Sequence, residues 1–280
     1  RWFINGDTNI KYLVDNNCHI WNGDAFKYYK KNFNLPSAAK EKMFNMDTYI
    51  ELIKTNKEFA EEWGELGPIY GKQWIKWQHW VEYEKEDGSL GCGSAWYDQI
   101  GVLIQNLKTN PDSRRLLVSA WNPSDLNEMV VPPCHYSFQV YTRKIDSVER
   151  WALCNNEVDA DAPDLHNKLD KLNIPTRKIS LMWNQRSADV PLGLPFNFVS
   201  YGALLHMIGN EVNMAPDELI VNIGDAHIYE NQFEKAREQC TRVSYPLPTL
   251  KLEKGMDAEP EDFELINYKH RPAIKFPLSV

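Results

Sequence analysis

Between residues 98 and 109 the apolar positions Ile100, Leu103, Ile104 and Leu107 recur three and four apart, so they share one face of a predicted helix. Asn110-Pro111-Asp112 closes it, since proline has no amide hydrogen to extend the ladder. From Arg115 to Trp121, Tyr136 to Thr142 and Ile179 to Gln185 the chain turns to β-branched and aromatic residues, which predicts strands. Between the last two, residues 143–178 are charged and without clear period. They are expected to form a surface excursion joining two paired strands, with some structure of their own at that length. Phe198 to Val212 is apolar nearly all round, which predicts a buried helix. Leu219 to Ile223 predicts a strand leading into Gly224-Asp225-Ala226-His227, residues 230–240 predict an amphipathic helix, and the Pro-rich segment 246–260 leads to an extended tail.

The first third of the chain is more polar. Residues 5–14 give a turn, capping candidates and a short helix. Residues 22–62 are rich in Lys and Glu, helical around Met46 to Lys54, and read as an exposed subdomain. Residues 78–97, with Glu82, Glu84, Lys85, Glu86, Asp87 and the glycines 88, 91 and 93, predict a loop or hairpin insertion. No repeat or low-complexity tract interrupts the pattern, and one large domain over 1–280 is the expectation, with insertions at about 22–62, 78–97 and 143–178. Arg1-Trp2-Phe3-Ile4 reads like the middle of an apolar helix, so a preceding segment is also expected.

Composition narrows the function classes. Of the 280 residues 43% are hydrophobic and 12% aromatic, enough for a well-filled core. A formal charge of -8 argues against a broad basic face for nucleic acid, although a local cluster of arginines could still hold a small anion. Five cysteines, an odd number with no CxxC and no metal-ligand spacing, suggest free thiols in a reducing, cytoplasmic compartment and no metal site. No apolar run reaches the roughly 18 residues of a membrane span, and no signal peptide opens the chain, so no membrane partner is expected.

Candidate chemistry gathers at a few points. Cys134 follows Pro132-Pro133 and precedes a strand, so its thiol is held rigidly at a strand start; a lone cysteine is otherwise more often a small hydrophobe. His135 is next to it, but neighbours on a strand point to opposite faces, and a packed or hydrogen-bonded imidazole is the simpler reading. Arg114 and Arg115 are either solvated surface or a phosphate fork, and Arg186 with Ser187 could complete an anion site, with Arg186 also lowering the thiol pKa. Asp189 reads equally as a helix or turn acid. Asn197 is a turn or cap residue, or an amide that donates and accepts at once, as the O4 and N3-H edge of uracil requires. His227 and Tyr229 are core residues with polar tips, or hold a sugar hydroxyl.

Taken together the segments resemble the thymidylate synthase family. Trp2-Phe3-Ile4-Asn5-Gly6-Asp7-Thr8-Asn9, Gly67-Pro68-Ile69-Tyr70-Gly71-Lys72-Gln73-Trp74, Pro132-Pro133-Cys134-His135, Gln185-Arg186-Ser187-Ala188-Asp189-Val190, Pro195-Phe196-Asn197 and Gly224-Asp225-Ala226-His227-Ile228-Tyr229 stand in the family's order. The resemblance implies an α/β (α+β) layered fold: a mixed β-sheet packed on helices, its other face forming a two-fold dimer interface. It implies a Cys134 thiolate that adds to C6 of dUMP, so that C5 attacks the methylene of 5,10-methylenetetrahydrofolate, giving dTMP and dihydrofolate. Arg186 and Ser187 would hold the phosphate, Arg114 and Arg115 would reach the phosphate of the partner subunit in a homodimer, Asn197 would read the base, and His227 and Tyr229 the 3'-hydroxyl. Asp189 would bond the pterin, and Ile20, Trp21, Leu192, Gly193, Phe196 and Tyr229 would line the folate. Tyr70 would join the network around the C5 proton, and the tail ending at Val280 would close over the ligands.

There are departures from the family pattern. The family's catalytic glutamate lies just upstream of the point matching Trp2, and a phosphate loop with its own Arg further upstream; the 280 residues alone would turn over very slowly. Asp24 stands where the resemblance expects Trp, Val131 where it expects Leu, and the tail ends Leu278-Ser279-Val280 rather than with Ala before Val. These changes touch the folate and the lid. They keep in view a dUMP hydroxymethylase of the same fold, which adds water to the exocyclic methylene, and a non-catalytic nucleotide- or RNA-binding relative, against which Cys134 and the acidic charge argue.

Overall fold

The structure, a computed structural model, describes residues 1–33, 45–154 and 157–278. It contains two compact units, Arg1–Gly101 with Val118–Tyr136, and Val102–Leu117 with Ser137–Val280.

In the first unit, helices α1 (Lys11–Asp15), α2 (Asn22–Asn32), α3 (Met46–Thr55), α4 (Lys57–Trp63) and α5 (Gly71–Ile75) precede a hairpin of β1 (Trp77–Glu84) and β2 (Leu90–Tyr97). The Asn45 and Asn56 side chains accept from the Thr48 and Phe59 amides at 2.7 and 2.9 Å, so α3 and α4 each start on a capped amide. The expectation of an exposed subdomain over 22–62 is corrected here, with residues 34–44 outside the described residues. The helices in it are amphipathic: Phe26, Tyr29, Tyr49, Ile53 and Ala60 face inward with Ile10, Leu66 and Ile69, and the Lys- and Glu-rich faces, with Tyr28, meet solvent. The Tyr49 hydroxyl donates to the Trp63 carbonyl at 2.7 Å, which satisfies this tyrosine's polar tip inside the aromatic cluster.

The hairpin expected over 78–97 is present in antiparallel register, turning at Gly88 with φ +78°. Two further glycines shape the loop into α5. A Cβ on Gly67, at φ +80°, would lie 2.1 Å from the Glu128 carbonyl oxygen, and one on Gly71 would lie 1.8 Å from that of Phe3. Both positions need the close approach of backbones that only glycine allows.

Helix α6 (Gln99–Thr109) matches its predicted span and leads to β3 (Leu117–Ser119), shorter than the predicted strand. Strands β4 (His135–Lys144), β5 (Arg177–Asp189) and β6 (Ala215–His227) follow, and the sheet order is β3-β4-β5-β6, with β5 and β6 parallel. The two strands flanking residues 143–178 are thus neighbours, as expected. That segment, apart from residues 155 and 156, which are not described, carries α7 (Ser147–Leu153) and α8 (Leu165–Lys171) around Cys154, Val158 and Leu169. Buried Arg150 ties it together, donating to Asp170, Ile174 and Pro175 oxygens at 2.6, 2.9 and 3.2 Å.

Along β5 the odd positions Ile179, Leu181, Trp183 and Gln185 are buried while Ser180, Met182 and Asn184 are half-exposed, the period of two of a sheet with one covered face. Helix α9 (Leu194–Glu211) covers it: Trp183 stacks on Tyr201 at 5.0 Å, and Phe138 meets Tyr201 edge-on at 6.0 Å. The expectation that this helix is buried all round fails in its first half, where Phe196, Phe198 and Val199 are exposed. Its covered positions begin at Tyr201 and continue through Leu204, Leu205, Met207 and Ile208. A 3-10 turn (Glu230–Gln232), α10 (Phe233–Cys240) and the paired strands β7 (Thr249–Lys251) and β8 (Glu264–Ile266) complete the unit.

Candidate functional site

Cys134 immediately precedes β4. Prolines 132 and 133 fix the approach and have no amide hydrogens of their own, so the first donor is that of Cys134 itself. It donates to the Tyr70 hydroxyl at 3.1 Å. Tyr70 is buried at φ +42°, an uncommon region for a bulky residue. Its ring stacks on His135 at 4.2 Å, and meets Phe3 at 5.2 Å and Trp21 at 5.5 Å. Burial pushes the His135 imidazole down to about 3, so it stays neutral at physiological pH and packs as the sequence suggested. Cys134, by contrast, is half-exposed.

Trp21 stacks on Trp2 at 5.1 Å, and Ile20 beside it in sequence is exposed. At the start of α2, Asn22 is buried and bonded to the His19 ring at 3.0 Å. Burial raises the Asp24 carboxyl against the pull of Lys27.

The remaining candidates lie in the second unit. The Trp183 indole N–H, which can only donate, bonds the Gln185 oxygen at 3.0 Å, so the Gln185 nitrogen must face the other way. It donates to the Asn197 oxygen at 3.1 Å and to the Ser187 carbonyl at 3.0 Å. This fixes the Asn197 amide with its NH2 group turned from Gln185. Asp189 ends β5, a strand position rather than the helix or turn foreseen as its alternative. One of its oxygens accepts from the Leu192 amide at 3.1 Å, and its carbonyl accepts from the Gly193 amide at 2.9 Å, shaping the turn into α9. Arg186 is exposed and Ser187 half-exposed on the same strand.

His227 ends β6, which runs well past the predicted Ile223, and its ring meets Tyr229 edge-on at 5.0 Å. Its Nδ1 lies 3.5 Å from an Asp225 carboxylate oxygen, a contact too poorly aligned to be a hydrogen bond. Arg114 and Arg115 are exposed ahead of β3, Phe196 is exposed on α9, and Val280 lies outside the described residues.

The first unit thus joins Cys134, Tyr70 and Trp21, and the second forms three small groups around Asn197, Asp189 and His227. Two glutamines escaped the sequence reading. Gln185 opens the Gln185-Arg186-Ser187-Ala188-Asp189-Val190 motif, where its residue type alone marks no role, and Gln232 lies in a turn with no pattern to mark it. Gln232 is fully buried and donates to the second Asp189 oxygen at 2.8 Å. Among the described residues, no group of three His, Cys, Asp or Glu side chains is placed to hold a metal ion, and no helix is long and apolar enough to cross a membrane.

Comparison with known proteins places the chain in a family. The family model described as thymidylate synthase matches residues 1–280. The chain is 36% identical to the thymidylate synthase of Mycoplasma pneumoniae over all of its own length and 79% of that protein. It is 38% identical to that of Mycoplasma genitalium over 98% of the chain and 77% of the relative. With that of Listeria innocua the identity is 37%, over the whole chain and 81% of the relative. A nucleophile candidate on an anchored amide, an oriented carboxamide and a match along the whole chain agree, and the chain belongs to the thymidylate synthase family.

Proposed function

We propose that this chain methylates dUMP to dTMP, with 5,10-methylenetetrahydrofolate as donor of both the carbon and the hydride. The observation that carries the reading is the setting of Cys134: half-exposed at the head of a strand, with its own amide anchored by a buried tyrosine. The thiolate adds to C6 of the uracil, and the electron pair moves to C5, which bonds the one-carbon unit. Loss of the C5 proton, release from the folate and hydride transfer to the exocyclic carbon then let the thiolate leave and regenerate the ring. Tyr70 holds the nucleophile's backbone and belongs to the network around the C5 proton. Neutral His135 is a packing partner of that tyrosine and not the base for Cys134.

Arg186 and Ser187 hold the nucleotide phosphate, and Arg186 favours the thiolate by its charge. Because Gln185 takes up one lone pair of the Asn197 oxygen, the free NH2 donates to uracil O4 and the remaining lone pair accepts from N3-H. Cytosine offers the opposite pattern at C4. His227 and Tyr229 hold the 3'-hydroxyl. Asp189, whose oxygens each keep a lone pair after bonding Leu192 and Gln232, bonds the pterin. Ile20, Trp21, Leu192, Gly193 and Phe196 line the folate, and the tail to Val280 closes over it. The residues 1–280 act as a single catalytic domain, with 22–62, 78–97 and 143–178 as elaborations, and two chains pair so that Arg114 and Arg115 reach the partner's phosphate.

The test is trapping on the native full-length protein with 5-fluorodeoxyuridylate and methylenetetrahydrofolate. A covalent adduct at Cys134 is expected, and its absence would sink the reading. Mass analysis of the product from dUMP separates the chemistries: dTMP with dihydrofolate supports methylation, and 5-hydroxymethyl-dUMP without dihydrofolate would replace it by hydroxymethylation.

A further inference from the structure

The C-terminal segment runs along α10, held by three side chains that each donate to one of its carbonyls. Arg242 donates to Pro272 at 2.7 Å, Lys235 to Lys275, and Gln232 to Pro277 at 3.0 Å. Lys235 is exposed and Arg242 half-exposed, whereas Gln232 is fully buried. The same Gln232 nitrogen gives its second hydrogen to Asp189 at 2.8 Å, and its oxygen accepts from the Tyr229 amide at 3.1 Å. One amide therefore joins the end of β5, the turn after β6 and the tail. Both of its N–H groups are spent, and their fixed angle dictates where the two acceptors sit relative to each other. Asp189 is correspondingly held at both oxygens, by Leu192 on one and Gln232 on the other.

We infer that Gln232 is a positioning residue that seats the tail and aims Asp189 in a single act, so that tail closure and pterin contact are one event rather than two. This rests on the reading of Asp189 as a folate contact. Detaching the tail takes one acceptor from a buried donor, a penalty that favours reorientation of the amide and release of Asp189. Ordering Asp189 with bound folate correspondingly favours the seated tail, since coupling of two equilibria is reciprocal.

The experiment compares Gln232→Met, Gln232→Glu and Lys235→Met in the full-length protein. In both Gln232 variants the KM for methylenetetrahydrofolate should rise about tenfold, the loss of one hydrogen bond to a charged group. The dUMP dissociation constant should stay within about twofold, and amide exchange over residues 273–278 should quicken by at least about tenfold. Lys235→Met, which loosens the tail without touching Asp189, should quicken exchange at the tail and raise the folate KM in step with it, because the two equilibria are coupled; quickened exchange with an unchanged folate KM overturns the inference. An unchanged folate KM in the Gln232 variants overturns the inference, as does a fall in kcat that only follows the folded fraction. Should neither variant fold, the coupling is read in the wild type: dUMP with a folate analogue must slow exchange of the Gln232 side-chain amide and of residues 273–278 together, and independent protection overturns it. Failure of the underlying reading looks different: were Asp189 no folate contact, Asp189→Ala would leave the folate KM unchanged, and were the chain no methylase, the wild type would form no Cys134 adduct.

Discussion

At the scale of single residues, orientation is passed along chains of polar groups that have only one way to bond. Trp183 can only donate, so Gln185 must present its oxygen inward and its nitrogen to Asn197. Gln185→Leu breaks this relay, leaves a buried indole N–H unpaired, and should cost about 1–3 kcal/mol of stability by denaturant unfolding. With Asn197 free to flip, discrimination between dUMP and dCMP, measured as the ratio of their binding constants, should fall about tenfold. A second residue-scale prediction concerns His135. Its imidazole titrates near 3 when folded, well below the ordinary value of 6.5, so between these pH values the unfolded chain binds a proton that the folded one refuses. Stability is therefore full above about pH 6.5 and lost as pH falls toward 3, by roughly 1 kcal/mol per pH unit from this group. Unfolding curves of His135→Phe should show a shallower acid slope between pH 6 and 4 than wild type, whatever their level at neutral pH.

At the scale of elements, what the chain's periodicity made legible is what local chemistry decides. The helix over 99–109, the hairpin over 77–97 and strands β4 and β5 follow from spacing and turn residues that each segment carries within itself. What periodicity misjudged depends on distant partners. The Lys-rich helices looked exposed because their apolar positions are aromatic and widely spaced, and Tyr29 and Tyr49 gain their burial against each other, Phe26, Phe59 and Trp63. The first half of α9 looked buried because it is apolar, yet within the described residues it stays exposed. The candidate site divides in the same way. Cys134, Asp189 and Asn197 could be picked out by residue type and motif, whereas Gln232 became visible only once its three partners were placed. The loop carrying Tyr70 shows how an element can be set by what it lacks. Gly71→Ala would push a methyl group into the Phe3 carbonyl at 1.8 Å, backbone against backbone, where no rotamer gives relief. A loss of about 2–4 kcal/mol is expected by thermal or denaturant unfolding. Because the same loop sets the Tyr70 hydroxyl, the rate of Cys134 adduct formation should fall as well, even where the protein remains folded.

At the scale of the whole molecule, the sheet has two unlike faces. One lies under α9, and the other presents Ser180, Met182, Asn184, Asn222 and Ile220, with the Asn222 amide bridging to Asn184 and Met182 at 3.1 Å each. This mixed apolar and amide face is the one that the proposed two-fold dimer would bury. In the proposed dimer, Arg114 and Arg115, exposed ahead of β3, would serve a neighbour's phosphate. This arrangement makes a prediction that a self-contained monomer cannot meet. Cys134→Ser removes the nucleophile, and Arg115→Glu replaces a phosphate-binding cation by a repelling charge, so each variant alone should be nearly inactive. Mixed, refolded together in equal amounts and allowed to exchange subunits, they form hybrids in half of all pairs by chance. In a hybrid, the chain that keeps Cys134 receives its arginine from the Cys134→Ser partner, whose Arg115 is intact, and that one site is whole. The other site has neither nucleophile nor arginine. Activity should thus recover to about a quarter of wild type, one working site in half of the dimers. Recovery must follow the kinetics of subunit exchange, measured in parallel by light scattering or by fluorescence transfer between labelled chains. If the mixture stays inactive although hybrids form, Arg115 serves its own chain and the shared site is wrong. If no hybrids form because the protein sediments as a monomer, the two-fold interface itself is wrong.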